Sequence, residues 1–369
     1  MTDPDGEGRR ARALVLDAPE RTHIEEFELP ASGADDALVR VEACGLCGTD
    51  HEQWSGALAA ATPMIPGHEV VGRILRIGSV AAARWHVQVG DRVVVEPRQV
   101  CGTCASCQAG RPRLCLRHSS ADSYGQVPVS RPPSLWGGYA EVQYLSPDSV
   151  VHPIDGSIDP VVASMFNAVA NGVRWGSSLP ATAPGDVVAI LGPGMRGLAA
   201  AAAARAAGAR FVLVAGRGPR DQARLALART FGADVTVDVQ EQDPVEVLRD
   251  ATGGLADVVV DATANAPSAF VQAMELATRQ GRVVVAGVHG DTDVPGFRPD
   301  TILVKELRIL GALGAETRDF RAALTLLRTE YDRFAAVSTT VVGLEGLPAL
   351  LASMAGGGDA VPVFAAVIP

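Results

Sequence analysis

Four cysteines, Cys101, Cys104, Cys107 and Cys115, fall within fifteen residues in the stretch CGTCASCQAGRPRLC. The spacing C-x2-C-x2-C-x7-C lets short loops bring four thiolates to about 2.3 Å from one tetrahedral zinc ion. Two other fates compete for such a cluster. Disulfides packed this tightly would force strained loops, and iron–sulfur proteins use cysteine runs of different spacing. All six cysteines (Cys44 and Cys47 are the others) lie between 44 and 115, so a disulfide framework holding the whole fold is implausible. The opening MTDPDGEGRRARA has no apolar leader segment and reads as a frayed, charged tail. Metal-ligating thiols in a reducing cytoplasm are the expectation.

At 369 residues the chain exceeds the size at which one hydrophobic core stops growing, so two domains are expected. The net charge of −10, from 32 Lys+Arg against 42 Asp+Glu, argues against a nucleic-acid or anionic-membrane surface. The most apolar stretch, LAAAAAARAAGARFVLVAG, is interrupted by Arg205 and Arg210 and does not read as a membrane span.

The texture changes once, near residue 165. Before it, short β-like runs (11–16, 37–43, 70–78 and 92–97) alternate with Gly/Pro/Asp-rich turns, which predicts a mostly β, barrel-like domain. After it, strand and helix patterns alternate. VVAIL (187–191) precedes an alanine-rich helix over 195–207, FVLVA (211–215) precedes a helical run over 221–231, and valine-rich runs follow at 258–263 and 282–288. Continuous apolar strands between helices predict a parallel sheet covered on both faces, an α/β arrangement. The alanines 199–204 read as close helix–sheet packing.

Between 187–191 and its helix sits Gly192-Pro193-Gly194-Met195-Arg196-Gly197, a G-x-G-x-x-G in the context the motif demands. The first glycine allows a tight turn, the second lets a pyrophosphate approach the backbone, and the third lets helix and strand pack closely. The N–H groups of the helix start, Met195 and Arg196 among them, would face the phosphates. Val288, at the end of the run 282–288, is a further expected cofactor contact. The choice of dinucleotide rests on the end of the second strand, where an acid would bind the ribose diol of NAD and a base the extra phosphate of NADP. Here the chain reads AGRGPRD: Gly216 makes room, Arg217 and Arg220 offer guanidinium forks, and Asp221 falls late, at the start of the next helix. NADP is expected over NAD.

A second ligand set is separate from the four cysteines. Cys47 opens CGTDHE, and His68-Glu69 sits in PGHEVVG twenty-one residues later. A Cys, His and carboxylate set suits zinc with one position open to water or substrate. In order, CGTD, PGHEVVG, GDRVVVEP, CGTCASC…C, GGYAEV and GPGMRG resemble the medium-chain, zinc-dependent alcohol and polyol/sugar dehydrogenase superfamily. The likeness covers all of the chain except the N-terminal tail.

The resemblance implies a mostly β, GroES-like catalytic domain over 1–168, with a structural-zinc lobe at about 97–118. It implies a Rossmann, doubly wound cofactor domain over 169–312 and a C-terminal return to the first domain over 313–369. It implies two zinc ions: a catalytic one on Cys47 and His68, with Glu69 ligating or close by, and a structural one on Cys101, Cys104, Cys107 and Cys115. Thr49 matches the hydroxyl that starts the proton relay. His51 lies one residue earlier than the usual relay histidine, so a relay role and a substrate contact both stay open. Where relatives place a further ligand, this chain has Phe166-Asn167-Ala168; Asn167 is a poor zinc ligand, so the site would rest on Cys47, His68, Glu69 and water, with Asn167 or the water in the place of the usual ligand. The activity implied is hydride transfer between a small alcohol, polyol or sugar hydroxyl and NAD(P), giving an aldehyde or ketone. A zinc-free quinone or enone reductase and a noncatalytic NADP-binding zinc protein are the alternatives. The resemblance also implies a homodimer or homotetramer formed through an edge strand near 300–312.

Overall fold

The structure, a computed structural model, describes residues 9–290, 292–355 and 362–369. Most of the expected N-terminal tail lies outside them; its last part is ordered, since Arg10 opens the strand Arg10–Ala18. Among the described residues no helix is long and apolar enough to cross a membrane. The chain divides into two units, Met1–Asn167 with Ser338–Pro369, and Ala168–Val337.

The first unit is mostly β, as its alternating runs predict. Its main sheet runs in the order Thr339–Val342, Phe364–Val367, Ala37–Gly45, Glu69–Ile77, Arg92–Val95, Val151–Pro153. Val142–Leu145 also pairs with Ala37–Gly45, and Arg10–Ala18 forms a separate antiparallel pair with Arg21–Glu28. Apolar side chains of these strands meet in one core with Leu344, Leu347 and Leu351, each buried aliphatic contributing about 1.5–3 kcal/mol.

Two pairings in this sheet matter for chemistry. Ala37–Gly45 and Glu69–Ile77 are antiparallel, and their last paired residues are Gly45 and Glu69. Residue 47, just past one strand, and residue 68, just before the other, therefore emerge at the same end of the sheet. The C-terminal strand then holds that end in place: Val367 pairs with Cys44, Ala366 with Gly45, and Leu46 N donates to Ala365 O at 2.8 Å.

The second unit is built on a six-stranded parallel sheet. Its order is Val235–Asp238, Phe211–Gly216, Val187–Leu191, Ala256–Asp261, Ala277–Val285, Arg308–Gly311. This is the doubly wound 3-2-1-4-5-6 arrangement, whose order reverses between the first and fourth strands. Every residue of Val187–Leu191 is buried, which explains its unbroken apolar run. The alanine helix, Met195–Ala206, is packed on a second side as well. Alanines 199–204 are all buried, and a Cβ on Gly172 or Gly176 would lie 2.4 Å from Ala199 Cβ or 2.2 Å from Ala200 O. Small residues on both helices thus permit a near backbone-to-backbone contact that larger side chains would block.

Three further elements belong to this unit. Val235–Asp238 is a short edge strand with one buried residue. Pro244–Thr252 carries a helix-start signal, with Asp243 accepting from Val245 N at 2.9 Å ahead of a first-turn proline. Pro267–Leu276 likewise begins on a proline.

Two expected boundaries shift. The segment 300–312 is not one strand: Asp300–Lys305 is a helix, and only Arg308–Gly311 pairs at the sheet edge, with Ala277–Val285. The C-terminal return begins at Ser338 rather than 313, because Thr317–Thr329 and Tyr331–Ala335 belong to the second unit. There buried Asp319 accepts from Ser178 Oγ at 2.6 Å, and Phe334 meets Phe231 edge to face at 5.3 Å.

Candidate metal centres and cofactor cleft

Turns around Ala105–Gln108 and Pro112–Leu114 gather the four lobe cysteines, whose sulfurs all lie within 4.8 Å of one another. Sγ–Sγ separations are 3.5 Å for Cys104–Cys107 and for Cys101–Cys115, and 4.0 Å for Cys104–Cys115. A tetrahedron with 2.3 Å zinc–sulfur bonds has edges of about 3.8 Å, whereas a disulfide needs about 2.05 Å. No cysteine is bridged. The Leu116 N–H points at Cys104 Sγ at 3.3 Å, and it and Cys107 draw that thiol down to about 6. Burial and the neighbouring sulfurs push Cys107 up to about 12. Four thiolates this close need a cation, and the donor set and its dimensions fit zinc.

The second set forms at the sheet end described above. Cys47 Sγ, a His68 ring nitrogen and a Glu69 oxygen lie within 4.8 Å of one another. Gly45 makes room for it: a Cβ there would sit 2.4 Å from Glu69 Oε2 and 3.0 Å from Ser164 O. The residue that ties the set together is Asp50, which the motif reading passed over although CGTD contains it. Asp50 is buried in the first turn of helix Gly48–Ser55. Its carboxylate accepts from Cys47 N at 2.9 Å and Gly67 N at 3.2 Å, and lies 3.4 Å from His68 Nδ1. One carboxylate thus fixes both ligand-bearing segments and leaves the other ring nitrogen of His68 for a metal. Burial alone would raise the Asp50 pKa, but His68 and then the Cys47 N–H hold it below the ordinary value. The same pairing, with Cys47, overcomes burial and raises the metal-free His68 well above its ordinary value.

Asn167, in helix Phe166–Val173, donates from Nδ2 to Glu69 Oε1 at 2.8 Å. Thr49 Oγ1 lies 3.6 Å from Cys47 Sγ. His51 follows on the same helix, its ring 6.0 Å from that of Trp54 and its Nε2 buried without a hydrogen-bond partner among the described residues.

In the second unit the glycine turn is tight and closely packed against its helix. Gly192 has φ +98°, and a Cβ on Gly197 would lie 1.9 Å from Gly192 O, so the tight turn and the close helix each demand glycine. A Cβ on Gly194 would meet nothing within 4 Å. The helix Met195–Ala206 starts there with no side-chain cap, leaving its first N–H groups for an anion. Met195 is buried, and the Arg196 guanidinium stacks 5.9 Å from the Trp175 ring. A cavity of about 400 Å³ opens beside the turn, lined among others by Gly192, Gly216, Arg217, Asp221, Thr263 and Gln272. Arg217 and Arg220 are both exposed, and Arg220 does not line the cavity. Val288 has an exposed side chain, and its carbonyl accepts from Asn265 N.

Asp221 stands at the start of the next helix, as expected. It ends the turn Pro219–Asp221 ahead of helix Gln222–Thr230 but makes no capping bond. Its carboxylate folds back to accept from Arg217 N at 2.9 Å and pairs with Arg224 at 3.2 Å. Gly218 N is held by Asp238 Oδ1 at 2.9 Å. The glycine-flanked loop bearing Arg217 is therefore pinned at two successive N–H groups.

Comparison with known proteins agrees with both units. Residues 33–156 match the alcohol dehydrogenase GroES-like domain, and 197–329 match the zinc-binding dehydrogenase domain. The chain is 57% identical to a "probable alcohol dehydrogenase" of Mycobacterium tuberculosis, over 96% of this chain and 97% of that one. It is 33% identical to the erythritol/L-threitol dehydrogenase of Mycolicibacterium smegmatis, over 82% and 83% of the two chains. Among solved structures, an alcohol dehydrogenase from Thermotoga maritima superposes with a TM-score of 0.86 at 26% identity, covering 98% of this chain and 100% of that one. A "putative zinc-binding dehydrogenase" from Sinorhizobium meliloti 1021, bound to NADP, gives 0.82 at 30% identity over 98% and 100%.

Proposed function

The chain belongs to the medium-chain, zinc-dependent alcohol dehydrogenases, and from that footing we propose that it interconverts a small alcohol or polyol and its carbonyl compound, with two zinc ions per chain and NADP preferred over NAD. The observation that carries this reading is the Cys47, His68 and Glu69 cluster, built on one sheet end by Asp50 and separate from the four-cysteine lobe. When bound, zinc would supply Lewis acidity to the substrate oxygen, and the nicotinamide ring would take up or release the hydride.

The chain's own residues do the rest. Cys47 and His68 hold the metal, with Glu69 kept at the site by Asn167. The Thr49 hydroxyl, close to Cys47 Sγ, receives the substrate's hydroxyl proton, and His51 on the same helix turn contacts the substrate or passes that proton on. Cys101, Cys104, Cys107 and Cys115 hold the second zinc and stabilise the lobe. Gly192, Gly194 and Gly197 with the N–H groups of Met195 and Arg196 seat the pyrophosphate, and Arg217 meets the 2′-phosphate, with Arg220 in reserve. The exposed apolar residues Leu303, Val304 and Leu313 flank the edge strand Arg308–Gly311, which supports assembly into a dimer or tetramer. Light scattering giving a monomer at micromolar concentration would refute that assembly.

The test of the activity is a screen of simple, aryl, polyol and sugar alcohols with each cofactor, followed at the absorbance of the reduced nicotinamide. Turnover that needs zinc and follows a hydroxyl substrate is expected. Turnover of enones or quinones only, by zinc-free protein, would overturn the reading.

A further inference from the structure

The second unit contains a pair of a buried acid and a half-buried imidazole that none of the roles above uses. Asp261 ends the strand Ala256–Asp261, fully buried, in register with Leu191 on one side and Val285 on the other. Its Oδ1 accepts from Thr263 Oγ1 at 2.6 Å and Thr263 N at 3.1 Å, and its Oδ2 lies 2.9 Å from His289 Nε2. With both oxygens engaged, Asp261 fixes the imidazole: Nε2 carries the proton toward the carboxylate, and Nδ1 presents a lone pair. That Nδ1 is buried and has no hydrogen-bond partner among the described residues. A buried acceptor without a donor is costly, and such atoms call for an explanation.

Position supplies the explanation. Leu191, opposite Asp261, immediately precedes Gly192, and Gly192 approaches Ala262 and Thr263 so closely that a Cβ on it would be 3.2 Å from both. The pair therefore stands at the carboxyl ends of the strands, where the sheet order reverses and a dinucleotide crosses. Arg217 and Asp221 follow the second strand and belong to the adenosine half, and the cavity beside them extends to Thr263, the residue that bonds Asp261. His289 follows the fifth strand, Ala277–Val285, on the other half. What reaches that half of a bound dinucleotide is its nicotinamide riboside.

We infer that His289, oriented by Asp261, is a cofactor-binding residue whose Nδ1 accepts a hydrogen bond from a ribose hydroxyl on the nicotinamide side of the dinucleotide. The inference rests on reading this unit as the cofactor's. It concerns a part of the cofactor common to NAD and NADP, so it is independent of the preference between them.

The test is binding, measured by calorimetry on the full chain with NADPH, NADH, the 3-acetylpyridine analogue of NADP and 2′,5′-ADP, which lacks the nicotinamide riboside. Two variants are compared. His289→Leu removes the acceptor but strands Asp261. His289→Gln keeps a donor for Asp261 and loses the acceptor at the Nδ1 position. Loss of one hydrogen bond is expected to weaken NADPH and NADH about tenfold in both variants. The acetylpyridine analogue, which retains the ribose, should weaken equally, and 2′,5′-ADP should bind as before. Unchanged dinucleotide binding overturns the inference, as does an equal loss for 2′,5′-ADP, which would mark a merely structural role. An unaffected acetylpyridine analogue would shift the contact to the carboxamide and overturn the ribose assignment. If the wild-type chain binds neither dinucleotide, the cofactor reading itself falls, a result distinct from all of these.

Discussion

Asn167 donates a 2.8 Å hydrogen bond to Glu69 Oε1, joining residues 98 positions apart at the second ligand set. At this position an amide holds the carboxylate beside Cys47 and His68. Hydrogen bonds to charged groups are worth roughly 1.5–3 kcal/mol, and both partners are buried. Replacing Asn167 with alanine is expected to weaken metal binding at this site about tenfold or more while the four-cysteine site is unchanged. Titration of the metal-free protein with cobalt, read by the separate visible bands of the two sites, checks this. Equal affinity in both proteins would mean that Glu69 is held in place without the amide.

The two ligand sets should behave as two zinc ions with different duties. Replacing Cys104 with serine removes one of four thiolates and is expected to halve the zinc content and lower the melting temperature, since structural zinc contributes directly to folding. Replacing His68 with alanine is expected to remove the other zinc and abolish turnover with the fold intact by circular dichroism. Elemental analysis finding one zinc that survives loss of Cys47 and His68, with activity retained, would refute the two-site reading.

How far the sequence could be read follows from how local each feature is. The lobe cysteines and Gly192–Gly197 were legible because their ligands or turns are contiguous, so spacing alone carries the geometry. Cys47 and His68 needed the family pattern, because they meet only through the Gly45–Glu69 register. Asp50 was within reach, three residues after Cys47 as a helix-capping carboxylate would be, but its bond to Gly67 N depends on that same register. Asn167 with Glu69, and His289 with Asp261, join residues from separate elements, and no periodicity reports such pairs. Asp221 was legible as a residue at the start of the next helix, but the backward turn of its carboxylate to the N–H of Arg217 was not. The strand expected near 300–312 failed because an apolar run of that length does not distinguish helix from strand.

Acid sensitivity should centre in part on Glu42. Its carboxylate accepts from Arg73 Nε at 2.8 Å and bonds Arg92, whose guanidinium also reaches Gly156 O and Ile158 O at 2.7 Å. Burial alone would raise the Glu42 pKa, but Arg92 and then Arg73 hold it below 4.5. A depressed folded-state pKa stabilises fully above the unfolded value and is lost as pH falls through the folded value. Replacing Glu42 with glutamine is therefore expected to cost about 1 kcal/mol near neutral pH, allowing for partial exposure. That difference should close as pH falls below 4.5. Urea unfolding of both proteins across this range checks it, and a gap that is independent of pH would assign the effect to packing.

Cofactor preference should reside in the pinned loop. Gly216 and Gly218 flank Arg217 and would by themselves let it swing, yet Asp221 and Asp238 take the N–H groups of Arg217 and Gly218. The guanidinium thus leaves from a fixed backbone at the rim of the cavity. A charge-assisted bond to a 2′-phosphate is worth roughly 1.5–3 kcal/mol, or about ten- to a hundredfold in affinity. Replacing Arg217 with alanine is expected to raise the Michaelis constant for NADP by that factor with little change for NAD. Asp221 is the one carboxylate among the residues lining the cavity, and Arg224 partly neutralises it at 3.2 Å. Replacing Arg224 with alanine should therefore also weaken NADP, by leaving an uncompensated negative charge near the phosphate, while NAD is unaffected or improved. Steady-state kinetics with both cofactors on wild type, the two single variants and Arg217→Ala/Arg220→Ala decide the matter. Wild-type enzyme using NAD at least as efficiently as NADP, or a ratio untouched by both the single and the double arginine replacements, would show that this loop does not set the choice.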